Sequence, residues 1–541
     1  MISPNRYVKE ISPYKVTHSL EKISKFKGKV FKLDWNESTI PPSQKVMRQI
    51  KQFLESKNHL NWYADPSSKD LQKEIAKYTN CSENQILVTN GSDSAHELIC
   101  NTYLEEGDEV ILPVPTYSNF LIWPKTRGAN IIKVPYSIGQ RCDINQVVSK
   151  INQKTKIIYL INPYICTYNI NDVKKVVEAS KDALVIIDEA YHEFYGKSCI
   201  NLVKEFDNVI ITRSFSKALS IAGLRLGYIL ANKNIINDLS KIHSFKSVNI
   251  LAQITGKAIL KDINFVGNYA KEVKKSLDFL AKELPKINFS VVQTNAGFIL
   301  FKHKTIKKDN LKDKLEKIGI FVRDLGAISQ TQEYLRMNVG TLSQTRDLVR
   351  LMIKYFSIKA IFLDRDGTIV EEPSGPNIGD DVIDEISKLR LLPNALIGLK
   401  KMMELGYTIF IISNQDGINR GRLTIELYNQ MNAMLTKNFS KESIAIEKWL
   451  VCPHTPEERC ICRKPKIGML NSINKSYYLD FKNCYVIGDR DSDVVLAKNL
   501  KAKSILIKRN EVDYSKTKTK PNFKANDVYD ACRFLKKLNA R

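Results

Sequence analysis

"SFSKALSIAGLRLGY", Ser214–Tyr228, sets Lys217 close to two hydroxyls, Ser214 and Ser216, and to a second cation, Arg225, in a glycine-bearing turn ahead of an apolar run. A solvated lysine has a pKa of about 10.4 and is a poor nucleophile at neutral pH, whereas partial burial and a neighbouring cation free the amine. Two hydroxyls and a planar guanidinium suit a phosphate dianion. A phosphorylated aldehyde would satisfy both halves of the stretch. Standing alone, the same residues read equally well as a Ser/Lys loop before a helix.

The surrounding sequence narrows the choice. Short β-branched runs ("QILVT", "DEVILP", "KIIYLIN", "ALVIIDEA", "NVIITRS") alternate with longer amphipathic segments and end in polar residues. Such runs are expected of a parallel sheet covered on both faces, with ligands bound beyond the strand ends, so the predicted class is α/β. "LVIIDEAY" puts Asp188 at one strand end, where a carboxylate can pair with a protonated pyridine nitrogen, and Tyr191 three residues on, where its hydroxyl can reach a ring oxygen. "LVTNGSDSAHELI" predicts strand, turn at Gly91 and helix, which opens the amides of Ser92 and Asp93 onto a helix N-terminus suited to an anion. Tyr117 in "PVPTYSN" offers a flat stacking face.

With these pieces in this order, residues 5 to 355 resemble the fold-type I pyridoxal-phosphate aminotransferases, and most closely the histidinol-phosphate aminotransferases. The matching stretches are "LDWNES" (Asn36, Glu37), "WYADP" (Tyr63), "TNGSD", "PTY", "DEAY", the opening stretch, "IFVRDLG" and "YLRMNVGT". The resemblance implies that Lys217 binds pyridoxal 5'-phosphate covalently and shuttles protons. It further implies Asp188 as partner of the pyridinium, Tyr117 as ring stack, and Ser92, Asp93, Ser214, Ser216 and Arg225 as phosphate cup. Tyr191 and Asn36 join the site, and Arg336 and Arg323 would hold anionic groups of the substrates. Tyr63 would reach the cofactor phosphate of a neighbouring subunit, which implies a homodimer. One departure stands out. Relatives have Asn-Pro-Asn-Asn-Pro-Thr-Gly where this chain has "NPYICTY", Asn162–Tyr168, so Ile165 replaces an asparagine that donates to the cofactor's phenolic oxygen. Asn162 and Tyr164 are the nearby groups able to substitute.

The strand pattern restarts near residue 357, predicting two domains, 1–356 and 357–541, without a low-complexity linker. In "IFLDRDGTIV", Asp364 and Asp366 follow a buried strand, a spacing that lets one carboxylate attack a phosphate while the other protonates the leaving oxygen. "FIISNQDG" (Ser413, Asn414), "CRKPKIGM" (Arg463, Lys464) and "VIGDRDSD" (Asp489, Asp493) come next in order. The series resembles the haloacid-dehalogenase (HAD-like) phosphatases with their Rossmannoid fold. The resemblance implies Asp364 as nucleophile, Asp366 as general acid/base, Ser413, Asn414, Arg463 and Lys464 as holders of the phosphorylated substrate, and Mg2+ on Asp364, Asp489 and the Asp366 carbonyl. Asp493 would orient Lys464 or the metal shell. "CPHTPEERCIC" contributes Cys452, His454, Cys460 and Cys462, a closed tetrahedral set suited to structural Zn2+. This set marks the histidinol-phosphatase and heptose-bisphosphatase branch. "GDRDSD" leans to the former and Arg420 of "NQDGINRG" partly to the latter.

A net charge of +25 invites a nucleic-acid partner, but the 83 Lys and Arg residues are dispersed, with no basic block or interleaved aromatic platform, so none is expected. The start "MISPNRYVKE" is polar and no apolar run approaches the ~18 residues that span a bilayer, which predicts a cytoplasmic protein without a membrane partner. Ten cysteines in 541 residues do not make a disulfide framework. The expected function is bifunctional: transamination of imidazole-acetol phosphate with glutamate, the partner of 2-oxoglutarate, to L-histidinol phosphate, then hydrolysis to L-histidinol. The alternatives are sugar or heptose phosphates as substrates, a decarboxylase, or a first domain that binds pyridoxal phosphate without efficient transamination.

Overall fold

The apolar runs become sheet strands, and their burial on both faces sets the layering. The computed structural model describes residues 2–9, 11–13, 20–56, 60–140, 142–326, 330–372, 382–509 and 519–539. The chain divides into two compact units, Met1–Leu284 with Phe289–Val349, and Pro285–Asn288 with Arg350–Arg541.

The first unit is built on a seven-stranded sheet in the order Ile86–Thr89, Gly227–Ala231, Val209–Ser214, Leu184–Asp188, Thr155–Ile161, Glu109–Val114, Asn130–Pro135. Ile157, Ile158, Tyr159 and Leu160 are all buried, as are Val185, Ile186 and Ile187, so successive side chains find apolar cover on opposite faces. Asparagine side chains cap several covering helices: Asn169, Asn232 and Asn249 accept from the amides of Asp172, Ile235 and Ala252. One difference from the sequence expectation is topological. Gly227–Ala231 runs antiparallel to both of its neighbours. A parallel return needs a crossover of about a dozen or more residues, usually helical. The connection after Ser214 holds only a short turn at Ala222–Leu224, so the chain folds straight back and leaves the Lys217 loop at the carboxyl end of Val209–Ser214. A second, mixed sheet of five strands, Phe31–Leu33, Ile320–Asp324, Leu335–Asn338, Phe298–His303 and Phe289–Gln293, belongs to the same unit.

The other unit has an all-parallel sheet in the order Lys448–Cys452, Thr408–Asn414, Ala360–Leu363, Tyr485–Gly488, Lys503–Ile507, Phe523–Ala525. Its first strand in the chain, Ala360–Leu363, lies inside the sheet: the next two, Thr408–Asn414 and Lys448–Cys452, are added on one side of it and the remaining three, from Tyr485–Gly488 on, are added on the other. Strand order therefore reverses at its carboxyl end, where open α/β sheets bind ligands. Asp364 is the residue that follows.

Candidate functional site

In the first unit, Ser92, Asp93, Tyr117, Tyr164, Asp188, Tyr191, Ser214, Ser216, Lys217 and Arg225 line one cavity. Burial pushes the Lys217 amine down to about 8, with the Arg336 guanidinium acting in the same direction. Its hydrogen bond is to the Trp35 carbonyl at 3.3 Å, and it stands 5.7 Å from the centre of the Tyr191 ring. Asp188 is buried and braced: Tyr159 Oη donates at 2.7 Å, the Ala190 amide at 3.0 Å, and His96 Nε2 lies 3.4 Å away. Asn36 Nδ2 donates to the Tyr191 hydroxyl at 3.0 Å.

Around Ser92 the backbone is drawn in tightly. The helix Gly91–Tyr103 begins there, and a Cβ on Gly227 would lie 2.8 Å from the Ser92 nitrogen. Only glycine lets the sheet approach that helix start so closely. Arg225 donates to Ser216 Oγ at 3.2 Å and to Asp93 Oδ2 at 3.4 Å. Tyr117 Oη and Asn119 Nδ2 donate to Asp93 Oδ1 at 2.8 and 3.2 Å. A carboxylate cannot itself coordinate a phosphate dianion, so the Asp93 side chain organises the donors while its amide belongs to the helix start. Cationic, hydroxyl and amide donors facing a buried amine and a fixed carboxylate are a donor set that fits pyridoxal 5'-phosphate.

The two arginines lie beside this cavity on neighbouring strands. Arg336 Nη2 donates to the Asp34 carbonyl at 2.9 Å, while its Nε is buried without a hydrogen-bond partner among the described residues. Ile165 is buried in the core and does not line the cavity, whereas Tyr164 does. Asn162 is otherwise engaged: it donates to the Tyr168 carbonyl at 3.1 Å and accepts from the Tyr168 amide at 3.1 Å. Tyr63 is largely exposed, outside the cavity of its own chain.

In the second unit a cleft is lined by Asp364, Asp366, Glu372, Ser413, Asn414, Gln415, Asp416, Arg463, Lys464 and Arg490, among others. Lys464 Nζ bridges Asp364 Oδ1 and Asp493 Oδ1, at 2.8 Å each. Burial raises the Asp364 carboxyl well above its ordinary range, and burial with the nearby Asp493 charge raises Asp489 to about 6. Oxygens of Asp364, Asp489 and Asp493 lie within 4.8 Å of one another, and Asp489 Oδ1 is buried with no hydrogen-bond partner among the described residues. Crowded carboxylates with an unsatisfied oxygen fit a divalent cation such as Mg2+. The Asp366 side chain lies outside this trio. Asn414, which lines the cleft, also clasps the backbone of Lys464: its Oδ1 accepts from the Lys464 amide at 2.9 Å and its Nδ2 donates to the carbonyl at 3.3 Å. Arg463 donates to the His454 carbonyl at 2.9 Å and approaches Asp416 Oδ2 at 3.5 Å.

Cys452, His454, Cys460 and Cys462 converge. Cys462 Sγ is 3.2 Å from His454 Nδ1, 3.4 Å from Cys452 Sγ and 3.5 Å from Cys460 Sγ, and Cys452 Sγ is 3.6 Å from Cys460 Sγ. A tetrahedron with ~2.3 Å metal–sulfur bonds has edges of about 3.7 Å, so the tetrad fits Zn2+.

Several neighbours escaped the sequence. Tyr159 and His96 brace Asp188, and Arg365 and Gln415 hold Asp366. A tyrosine in the middle of the apolar run "KIIYLIN" was the one available signal.

Comparison with known proteins matches residues 28–351 to the family model "Aminotransferase class I and II" and residues 461–531 to a HAD-hydrolase-like model. A dihydroxyacetone phosphate transaminase of Campylobacter jejuni is 34% identical over 356 residues, 63% of this chain and 94% of that protein. A histidinol-phosphate aminotransferase of Methanocaldococcus jannaschii is 31% identical over 364 residues, 65% of this chain and 96% of that protein. Among solved structures, the histidinol-phosphate aminotransferase of Sinorhizobium meliloti in complex with pyridoxal-5'-phosphate superposes with a TM-score of 0.58 at 21% identity, covering 64% of this chain and 95% of that one. The fold is therefore that of a fold-type I transferase followed by a HAD-like domain.

Proposed function

Because the chain belongs to the class I and II aminotransferases, with a HAD-like segment behind that domain, we propose that it is a bifunctional enzyme that aminates a phosphorylated ketone and then removes the phosphate. The substrate we assign is imidazole-acetol phosphate, aminated with glutamate to L-histidinol phosphate and hydrolysed to L-histidinol. The observation that supports this most directly is the buried Lys217 amine, lowered to about 8, facing a phosphate cup across one cavity.

Pyridoxal phosphate, when bound, supplies the electron sink for transamination. Ser92, Ser214, Ser216 and Arg225 would bind its phosphate, Asp188 would pair with its ring nitrogen and Tyr117 would cover its face. Lys217 Nζ holds and moves the proton at the substrate carbon. Arg336 and Arg323 bind the anionic ends of glutamate and the phosphorylated ketone, one receptor pair serving both. Tyr63 serves the neighbouring subunit of a homodimer, a role in keeping with the exposed Leu60, Trp62, Ile242 and Phe245 on this unit.

In the second domain Asp364 attacks phosphorus, Asp366 protonates the leaving oxygen, and Lys464, Ser413 and Arg463 hold the phosphoryl and substrate oxygens. Asp364, Asp489 and the Asp366 carbonyl would hold Mg2+, whose charge offsets the crowded anions. Zn2+ on the Cys/His tetrad is structural, since the four ligands leave no open position. We assign the protein to the cytoplasm, a setting in which thiols stay reduced, as suits ten cysteines that form no disulfide among the described residues.

The test is a coupled assay from imidazole-acetol phosphate and glutamate to histidinol. Lys217→Ala should abolish amine formation alone and Asp364→Asn phosphate release alone. Failure of the wild type to form the phosphorylated amine sinks the assignment. Dihydroxyacetone phosphate, the substrate named for the Campylobacter relative, is the second candidate. It carries the same ketone beside a phosphate ester, and faster turnover of it in this assay would select it.

A further inference from the structure

Arg365 is fully buried. A guanidinium taken out of water is costly unless its partners are well placed, and an apolar side chain of similar volume often serves stability as well. Among the described residues its ion-pair partner is Asp366, whose Oδ1 accepts from Arg365 Nε at 2.8 Å. The far end of the group is anchored on the helix Ile425–Lys441, with Nη1 donating to Asn432 Oδ1 at 3.4 Å and the guanidinium carbon 4.6 Å from the centre of the Tyr428 ring. The backbone amide of Arg365 donates to Asp364 Oδ1 at 2.8 Å. One buried residue thus touches both aspartates. With Oδ1 of Asp366 fixed, Oδ2 is left on the cleft side, against the Gln415 amide and 3.5 Å from Ser413 Oγ.

We propose that Arg365 is a positioning residue that holds the Asp366 carboxyl for proton delivery to the leaving oxygen, an inference that rests on the phosphatase activity assigned above. In that step an Asp364 oxygen bonds to phosphorus, the ester P–O bond breaks, and the Asp366 proton passes to the departing oxygen, which leaves as the alcohol. Water then attacks the phosphoryl-aspartate, returns a proton to Asp366, and frees phosphate and the Asp364 carboxylate. An aliphatic alkoxide needs that proton, while 4-nitrophenolate leaves without it. In the cleavage step, a residue that acts only through Asp366 must therefore matter in proportion to the basicity of the leaving group. A residue that merely supports the fold must not.

The experiment uses the full chain with Mg2+ and two kinds of ester: alkyl phosphates (histidinol phosphate and serinol phosphate) and 4-nitrophenyl phosphate. Arg365→Met is expected to lower kcat/KM, which reports ester cleavage and not the later hydrolysis of the phosphoryl-aspartate common to both, by about 10- to 100-fold on the alkyl esters and by about threefold or less on the nitrophenyl ester. Arg365→Lys should recover part of the alkyl activity. In an Asp366→Asn background, Arg365→Met should cost nothing further on either ester, because the group it positions is gone. Equal losses on both kinds of ester, or losses that add in the double variant, would overturn the proposal. Should Arg365→Met fail to fold, Asn432→Leu releases the far end of the guanidinium and should show a smaller loss with the same selectivity, and an unselective loss there overturns it as well. A wild type that cleaves neither kind of ester defeats the phosphatase assignment and this inference with it. A wild type that cleaves both without the selectivity defeats only the role of Arg365.

Discussion

Arg323 and Arg336 stand directly opposite each other on antiparallel strands, paired in register. Like charges so placed repel, and an anion that both could share would stabilise the arrangement.

Arg336→Gln should therefore raise the KM for glutamate by at least about tenfold, since a charge-assisted pair is worth roughly 1.5–3 kcal/mol. It should also weaken the stabilisation of the protein by dicarboxylates. Steady-state kinetics and thermal shift with 2-oxoglutarate check both, and an unchanged KM would exclude this arginine from the substrate.

Cofactor capture should follow the Lys217 amine. Burial first, then Arg336, lowers it to about 8, so the fraction free to react falls roughly tenfold for each pH unit below that value and levels off above it. Stopped-flow absorbance on cofactor-stripped protein reads this directly. Lys217→Ala should leave pyridoxal phosphate bound but removable by dialysis.

Stability and activity should part company at Asp489. A carboxyl raised to about 6 in the folded state, above its unfolded value, contributes stability at low pH that is lost as pH rises through 6. Asp489→Asn should accordingly raise the Tm of metal-free protein at pH 7 and remove the further stabilisation by Mg2+, while abolishing phosphate release. A lower Tm in the variant would contradict the burial argument.

Metal analysis should find zinc in stoichiometric amount, and Cys460→Ser should lose it. Phosphate release should fall with the zinc, while transamination by the same sample persists. Full phosphatase activity in zinc-free protein would show the tetrad to be dispensable.

The layered α/β architecture was legible because apolar strands ending in Asp, Ser or Asn advertise both their burial and the end at which ligands collect. Ser92, Asp188 and Lys217, separated widely in sequence, meet in one cavity, and Asp364, Lys464 and Asp493 meet in one pair of ion pairs. What escaped was of two kinds. The antiparallel Gly227–Ala231 strand was hidden because strand direction depends on how a connection returns, and twelve residues without a real helix look much like a crossover turn. The bracing groups were hidden because each is an ordinary residue whose importance lies in a partner elsewhere: nothing in "QDG" tells that Gln415 will meet Asp366, and nothing in "CRK" tells that Asn414 will hold the backbone of Lys464.

That two-sided grip on Lys464 has a mechanical consequence. Cys452 pairs in register with Asn414 on the neighbouring strand, and Cys462 precedes Lys464 with only Arg463 between them. The hairpin of chain from 452 to 464 is thus pinned at both feet to a single rung of the sheet, and a cross-link among its sulfurs would stiffen it like a staple. Slack introduced anywhere in that span would reach the ammonium group as a loss of aim.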